Sequence, residues 1–585
     1  MESFAGIFSN AWALALVVIF FGGSIFVHEF GHYLAAKWRG MKVVRFSIGF
    51  GPKIYSRMGK DGCEYAVSLL PLGGYVALPQ IADLGAIEGE SGACANLPKA
   101  SCADKIIVGA AGALFNIVFA VFLAAAVWIA GIEKNAAYET TVIGYIPETI
   151  ADIDGAEIPS PAKKAGLREG DKILSIDGSS VKNFAEIAEL VAVGSGRGRD
   201  GKPSAALKIE RGGKILDITV SPELLKTNLA TGDEIRAIGV SPAMEIRVGA
   251  AMKGSPAEAA GLMRGDVITE LGGKKLFSNG QLGALLDALP SGAAAKITVM
   301  RGGEKLEKNI TPKKIALTKP LLRVCADAGS EASFFISNSQ DPKSARGIPK
   351  VLSAKGAAFS AMSAGDMLCS VNGETPDTLE ALKAALYERG RNNFSLARAQ
   401  AEFFDVPLSA PISAKIEPPK TKAMLGISIE PATRVFHPSI AEQFADSISR
   451  TCNALSGLVA PTSDIGIKSL AGPVDIGRVI YQLSLTDFML VLSFAVLLNV
   501  NLAILNLLPL PVLDGGHILL AVLEKIRGKP VPSGIVVGLH LCFTLALLSL
   551  MLYIVYSGFM RWEGDSKFEA AESAVAEFYI KDIKF

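Results

Sequence analysis

The chain has 585 residues, half of them hydrophobic, with 58 Lys and Arg against 57 Asp and Glu for a net charge of +1; its mean hydropathy is +0.37. That length exceeds a single domain; the balanced charge says nothing about nucleic acid, and no basic cluster interleaved with aromatics points to a nucleic-acid partner. Seven scattered cysteines, odd in number and never in a CxxC pair, exclude a disulfide framework and a cysteine metal site.

Residues 3 to 27 carry no charge and are mostly apolar, long enough to cross a hydrocarbon core of about 30 Å at 1.5 Å per residue. The run leads into His28-Glu29-Phe30-Gly31-His32. On a helix, positions i and i+4 share a face, so both imidazoles can reach one metal ion, with Glu29 beside them as general base. Ionisable residues in an apolar span are costly and point to function. The run lacks the basic start of a signal peptide, and cleavage after it would endanger the metal motif, so it reads as a retained first span over residues 1–36. A catalytic zinc normally takes three protein ligands, so a third must lie elsewhere.

Residues 37–103 form a loop in which Phe46-Ser47-Ile48-Gly49-Phe50-Gly51, Tyr65 to Leu70 and Gly73-Gly74-Tyr75 read as short strands with glycine turns. A second uncharged run gives a span over 104–132. The region that follows repeats: Gly170-Asp171-Lys172-Ile173-Leu174 recurs as Gly265-Asp266-Val267-Ile268-Thr269 and, less closely, as Gly365-Asp366-Met367-Leu368-Cys369. Three copies imply three modules, over 133–240, 241–316 and 317–420. Ser160-Pro161 and Ser255-Pro256 before the first two copies, and Arg211-Gly212-Gly213 and Arg301-Gly302-Gly303 after them, look like the turns of bacterial PDZ domains. The third copy lacks both marks and reads as degenerate.

Residues 421–486 are polar and amphipathic, a connector that can lie on the membrane surface. A third span over 487–517 carries Asn501, Asn506, Pro509 and Pro511 and ends in Leu513-Asp514-Gly515-Gly516-His517. Asp514 completes a His, His, Asp set; His517 is the competitor, with the two glycines expected to turn it away from the metal. The asparagine amides either bind an extended peptide or hold neighbouring helices together. The prolines break the helix, which is tolerated at membrane depth where a polar cavity is lined. A fourth span covers 531–560, and a tail 561–585 follows.

Taken together, the HExxH run, the Asn501 to His517 run and Arg45 to Pro52 closely resemble the bacterial site-2 protease family, of the regulator-of-sigma-E type. The resemblance implies zinc held by His28, His32 and Asp514, water activated by Glu29, and substrate held by Asn501, Asn506, Pro509 and Pro511. It also implies a re-entrant β-loop around Gly49 and Gly51 that pairs with the substrate, where an ordinary cytoplasmic hairpin is the alternative. Gly112-Ala113-Leu114-Phe115-Asn116 resembles the family's GPxxN motif with alanine in place of proline.

The expected fold is therefore a polytopic α-helical membrane protein of about four transmembrane helices, with tandem PDZ-like domains inserted between spans two and three. Lys37, Arg39, Lys42, Arg45, Lys53, Arg57 and Lys60 in the first loop, and Lys525, Arg527 and Lys529 in the last, mark the cytoplasmic side of an inner membrane. The amino terminus, the modules and the tail then face outward. The expected activity is a monomeric intramembrane zinc endopeptidase acting on single-span membrane proteins, with the PDZ-like modules as a size filter; the alternative is a membrane PDZ scaffold that binds without cutting.

Overall fold

The computed structural model describes residues 11–80, 100–153, 157–228, 230–326, 330–337, 348–398, 402–529, 531–574 and 578–579. Among these residues four helices are long and apolar enough to cross a membrane: Ala15–Trp38, Cys102–Ala130, Phe488–Asn506 and Gly534–Glu569. The chain divides into a unit built around these helices and a unit built around the β-rich modules. Six cysteines are free among the described residues.

In the helical unit the second span is central, packing on the first, the third and the helix Asp514–Arg527. Ser101 and Asp104 form a capping box at its start, each satisfying a backbone N–H of the other's turn. The third helix ends at Asn506, and a new helix begins at Asp514. Pro509 and Pro511 lie in the break, where they have no N–H to offer a helix. The expected third span is thus two helices joined by a turn. Gly515 and Gly516, expected to turn the chain away, instead sit buried in the first turn of the second helix. A Cβ on Gly515 would lie 2.3 Å from the Leu507 carbonyl oxygen, and one on Gly516 would lie 2.1 Å from that of Leu510. The glycines let the helix start press directly against the turn before it.

Residues 45–77 form two long irregular strands, Arg45–Met58 and Glu64–Ala77, that fold back on each other. Arg45 to Ile48 pair on one side with Glu64 to Val67 and on the other with Gly74 to Ala77, which leaves Gly74 to Ala77 at an edge of this pairing. Gly49 and Gly51, at φ 86° and 90°, adopt the left-handed backbone that the fold-back needs.

The β-rich unit holds three modules built on one plan. In each, the glycine of the Gly-Asp pair donates its N–H to a preceding strand: Gly170 to Ile143, Gly265 to Val248 and Gly365 to Val351. Each following aspartate is buried and takes a bidentate arginine: Asp171 with Arg211, Asp266 with Arg301 and Asp366 with Arg398. The third module thus keeps the arginine, with Ala399-Gln400 following it in sequence in place of Gly-Gly. In the first module Ser241–Pro242 pair back with the strand Ile143–Tyr145, so that module runs past residue 240.

The third module is nested in the second. Lys313–Ala316 pairs with Thr421–Met424, and Ile246–Ala251 pairs with Ile427–Ile429. Ala423 and Leu425 are buried in the second module's core with Ile268, Ile297 and Val299. Residues 421–429 therefore complete the second module; the helical part of the expected connector begins at Ile440. Glu223–Lys226 and Glu234–Ala237 form the corresponding hairpin of the first module. At the carboxyl end, the last long helix runs to Ala574, so the expected tail starts as helix.

Asp266 is fully buried and accepts Met263 N–H as well as two Arg301 donors. Asp266→Ala should cost about 1–3 kcal/mol, the penalty of a buried donor left without an acceptor, seen by hydrogen exchange on the whole protein as faster exchange across 246–310 and 421–429. Arg301 holds the Asp266 carboxyl below its ordinary range against the opposing effect of burial. A depressed folded pKa means this contribution is complete above the unfolded value of about 3.9 and disappears as pH falls through the folded one.

Candidate functional site

The first helix brings His28 and His32 onto one face, where both are buried. Their Nε2 atoms lie 3.2 Å apart. Asp514, in the first turn of its helix, places Oδ2 3.2 Å from His28 Nε2 and 3.3 Å from His32 Nε2. Buried Oδ2 accepts no hydrogen bond among the described residues. Three lone-pair donors thus face one another across a triangle. For metal bonds of 2.0–2.1 Å, a tetrahedron has edges of about 3.3 Å, so the triangle has the size of one face of a zinc site. The residues fit a zinc ion with a fourth position left for water.

The surrounding helices orient these groups. His32 Nδ1 lies 2.7 Å from the Val108 carbonyl oxygen, which can take only a proton from it and so directs Nε2 at the triangle. A Cβ on Gly112 would come within 2.3 Å of His32 Nε2 and 2.7 Å of His28 Cε1. The second span has no room for a side chain there. Asn116 is fully buried with its amide 3.1 Å from His28 Nδ1.

His28, His32 and Asp514 line a cavity of about 230 Å³ together with Glu29, Gly74, Tyr75, Val76, Lys105 and His517. Glu29 Cγ lies 2.8 Å from where a Cβ on Gly74 would stand, so the edge strand of the loop runs close against the glutamate. Lys105, whose ammonium pairs with Glu524 at 2.9 Å, ties the second span to the Asp514 helix beside the cavity.

Of the residues singled out from the sequence, His28, Glu29, His32 and Asp514 come together. Asn506 joins them, its amide 3.3 Å from His28 Nε2. Asn501 does not: its Oδ1 is bound by Thr451 Oγ1 on the helix Ile440–Val459. Gly49 and Gly51 shape the loop without lining the cavity. His517 lines the cavity but stands outside the triangle, with its ring 5.3 Å from that of His540. Sequence reasoning missed Gly74, which lines the cavity, and Gly112, which faces the two imidazoles; both stand in glycine-bearing motifs it had noted, but only helix and strand packing shows what they touch.

The chain is similar to known proteins along nearly its whole length. The chain is 25% identical to the regulator of sigma E protease of Haemophilus influenzae, over 94% of this chain and 100% of that one. It is 24% identical to protease RseP of Yersinia pestis, over 94% and 99%. A Neisseria meningitidis relative, provisionally named as a zinc metalloprotease, is 28% identical over 91% and 94%. The profile of peptidase family M50 matches residues 16–552, nearly the whole chain, including both halves of the triangle, and the protein belongs to that family.

Proposed function

We propose that this protein is an intramembrane zinc endopeptidase in which His28, His32 and Asp514 hold the metal and Glu29 is the general base. The observation that carries this reading is the triangle of Nε2, Nε2 and Oδ2 at 3.2–3.3 Å, with Glu29 on the same cavity. When bound, zinc supplies a water of lowered pKa and a Lewis acid for the scissile carbonyl. Glu29 takes the water's proton on its carboxylate and delivers it to the departing amine nitrogen. The Asn506 amide, beside His28, donates to the substrate backbone.

The proposed substrates are single-span membrane proteins, cut in or near the membrane segment. A helix hides its carbonyls, so such a substrate must first be drawn out as a strand. The edge from Gly74 to Ala77 offers backbone groups for that pairing next to Glu29, and strand addition offsets the hydrogen bonds lost on unwinding. Pro509 and Pro511 hold open the break that Asn506 borders. Asn501, tied to Thr451, serves helix packing.

Charge placement puts the zinc end of the first and third spans toward the cytoplasm and the β-rich modules outside. Among the described residues the cavity is lined by the helical unit alone, and the modules are read as PDZ-like. Their role is to govern access, admitting substrates whose outer part has been trimmed.

Glu29→Gln should retain zinc and lose cleavage by about 10²–10⁴-fold, because glutamine cannot take the proton. Asp514→Ala should lose both zinc and cleavage, whereas His517→Ala should keep most of the metal. Metal analysis beside cleavage of a single-span reporter separates the cases. A fully loaded Asp514→Ala protein with an empty His517→Ala protein would redraw the ligand set.

The access role makes a different prediction. A reporter with a short outer stub should be cut, and one bearing a folded outer domain of about 100 residues, with a radius of gyration of about 13 Å, should be spared. Deleting the third module, residues 317–420, should relax that discrimination without stopping stub cleavage. Loss of stub cleavage alone, with a detergent-solubilised transmembrane peptide still cut, means the module recruits substrates.

A further inference from the structure

We propose that Asn116 is a positioning residue that holds His28 in its metal-binding tautomer; this rests on the zinc site proposed above. His28 faces the triangle with Nε2, so its proton must sit on Nδ1, and that N–H needs an acceptor. Two side-chain amides reach Nδ1: Asn116, whose nitrogen is placed 3.1 Å from it, and Asn506, farther off at 3.5 Å. The Asn116 oxygen, Oδ1, is buried and accepts no hydrogen bond among the described residues. An amide's oxygen and nitrogen exchange places by a half-turn of the side chain. Turned so, Oδ1 accepts from His28 Nδ1–H, and a buried oxygen gains the donor it lacks. Asn506 lies nearer the other ring nitrogen, 3.3 Å from Nε2 against 3.5 Å from Nδ1, and so stands on the side of the triangle. The second span then orients both histidines, His32 through the Val108 carbonyl and His28 through the Asn116 side chain.

The test is zinc affinity of the purified full-length protein by competition with a chromogenic chelator, with Co²⁺ absorption as a second signature of the ligand geometry. Asn116→Ala should weaken zinc binding about 10–100-fold, and Asn116→Asp, which keeps an acceptor, should stay near wild type. Unchanged affinity in Asn116→Ala overturns the assignment. Equal weakening in both variants also overturns it, since packing alone would explain that. If His28→Ala binds zinc as tightly as wild type, the fault lies instead with the zinc site itself.

A separate observation concerns the third module, taken as PDZ-like. In the first two modules the strand equivalent to a peptide-accepting edge is Ser241–Pro242 or Ile427–Ile429, and each ends its sheet. In the third the equivalent strand is Glu331–Ser337, and its sheet continues through Leu321–Cys325 to Ser413–Glu417. Leu321–Cys325 runs antiparallel to it, pairing Leu322 with Phe334 and Val324 with Ala332. Leu322 and Val324 are fully buried in one core with Leu379 and Leu382 of the helix Leu379–Ala384. This is how a peptide docks by strand addition, with backbone on the edge strand and alternate side chains against the helix.

We infer that Leu321–Cys325 is a built-in ligand that closes the third module's groove to other peptides. Hydrogen exchange on the intact protein should find the amides of Glu331–Ser337 as protected as those of Asn392–Arg398 in the same sheet. Adding a synthetic Leu-Leu-Arg-Val-Cys peptide should change neither segment in wild type. A Leu322→Ser, Val324→Ser variant should expose the edge and gain peptide-dependent protection there. Rapid exchange of the wild-type edge, or peptide-dependent protection of it in wild type, overturns the inference.

Discussion

Everything in the helical unit follows from the need to hold three lone-pair donors within 3.2–3.3 Å of one another in a buried place. Without a cation between them two neutral imidazole nitrogens and a carboxylate oxygen repel, and burial strengthens that repulsion by lowering the local dielectric. The fold must therefore supply the convergence by packing. The first span contributes by periodicity, the second by the missing side chain at Gly112 and the carbonyl of Val108. The third element contributes by breaking.

That break explains the composition around Asp514. A continuous helix from Phe488 would carry Asp514 two turns beyond Asn506 along one axis. Ending at Asn506 and restarting at Asp514 lets the carboxylate sit at a helix amino terminus, where the helix dipole favours negative charge. The prolines prevent continuation. The glycines at 515 and 516 let the new helix press on the Leu507 and Leu510 carbonyls, so the two helices join in a short, tightly packed turn.

The three residues proposed as metal ligands could be singled out in the sequence because their signals are local: His28 and His32 are four residues apart, and the run from Asn501 to His517 carries its own punctuation. What was not legible depends on contacts between distant segments. Nothing near Asn501 announces Thr451, fifty positions earlier, and nothing near Gly112 announces two imidazoles from another helix. Arg398 was hidden for a different reason. The Arg-Gly-Gly signature joins an arginine that pairs with the buried aspartate to two glycines, and the third module keeps the arginine without the glycines. The nesting of that module was invisible because Lys313–Ala316 and Thr421–Met424 carry no mark of their pairing.

The nesting is also what makes an added module compatible with an unaltered site. Loop-closure cost rises only logarithmically with length, so an insertion of about 100 residues at a hairpin tip is thermodynamically mild if its ends stay together. The antiparallel pair Lys313–Ala316 and Thr421–Met424 keeps them together, and the paired strands Leu321–Cys325 and Ser413–Glu417 carry that adjacency into the third module. The inserted core, with Phe334, Phe359 and Phe394 fully buried, is filled from its own residues. The second module still receives Ala423 and Leu425 in its own core after the excursion. An arrangement of this kind enlarges the β-rich unit within that unit alone, while the described lining of the cavity comes from the helices and the loop between the first two spans.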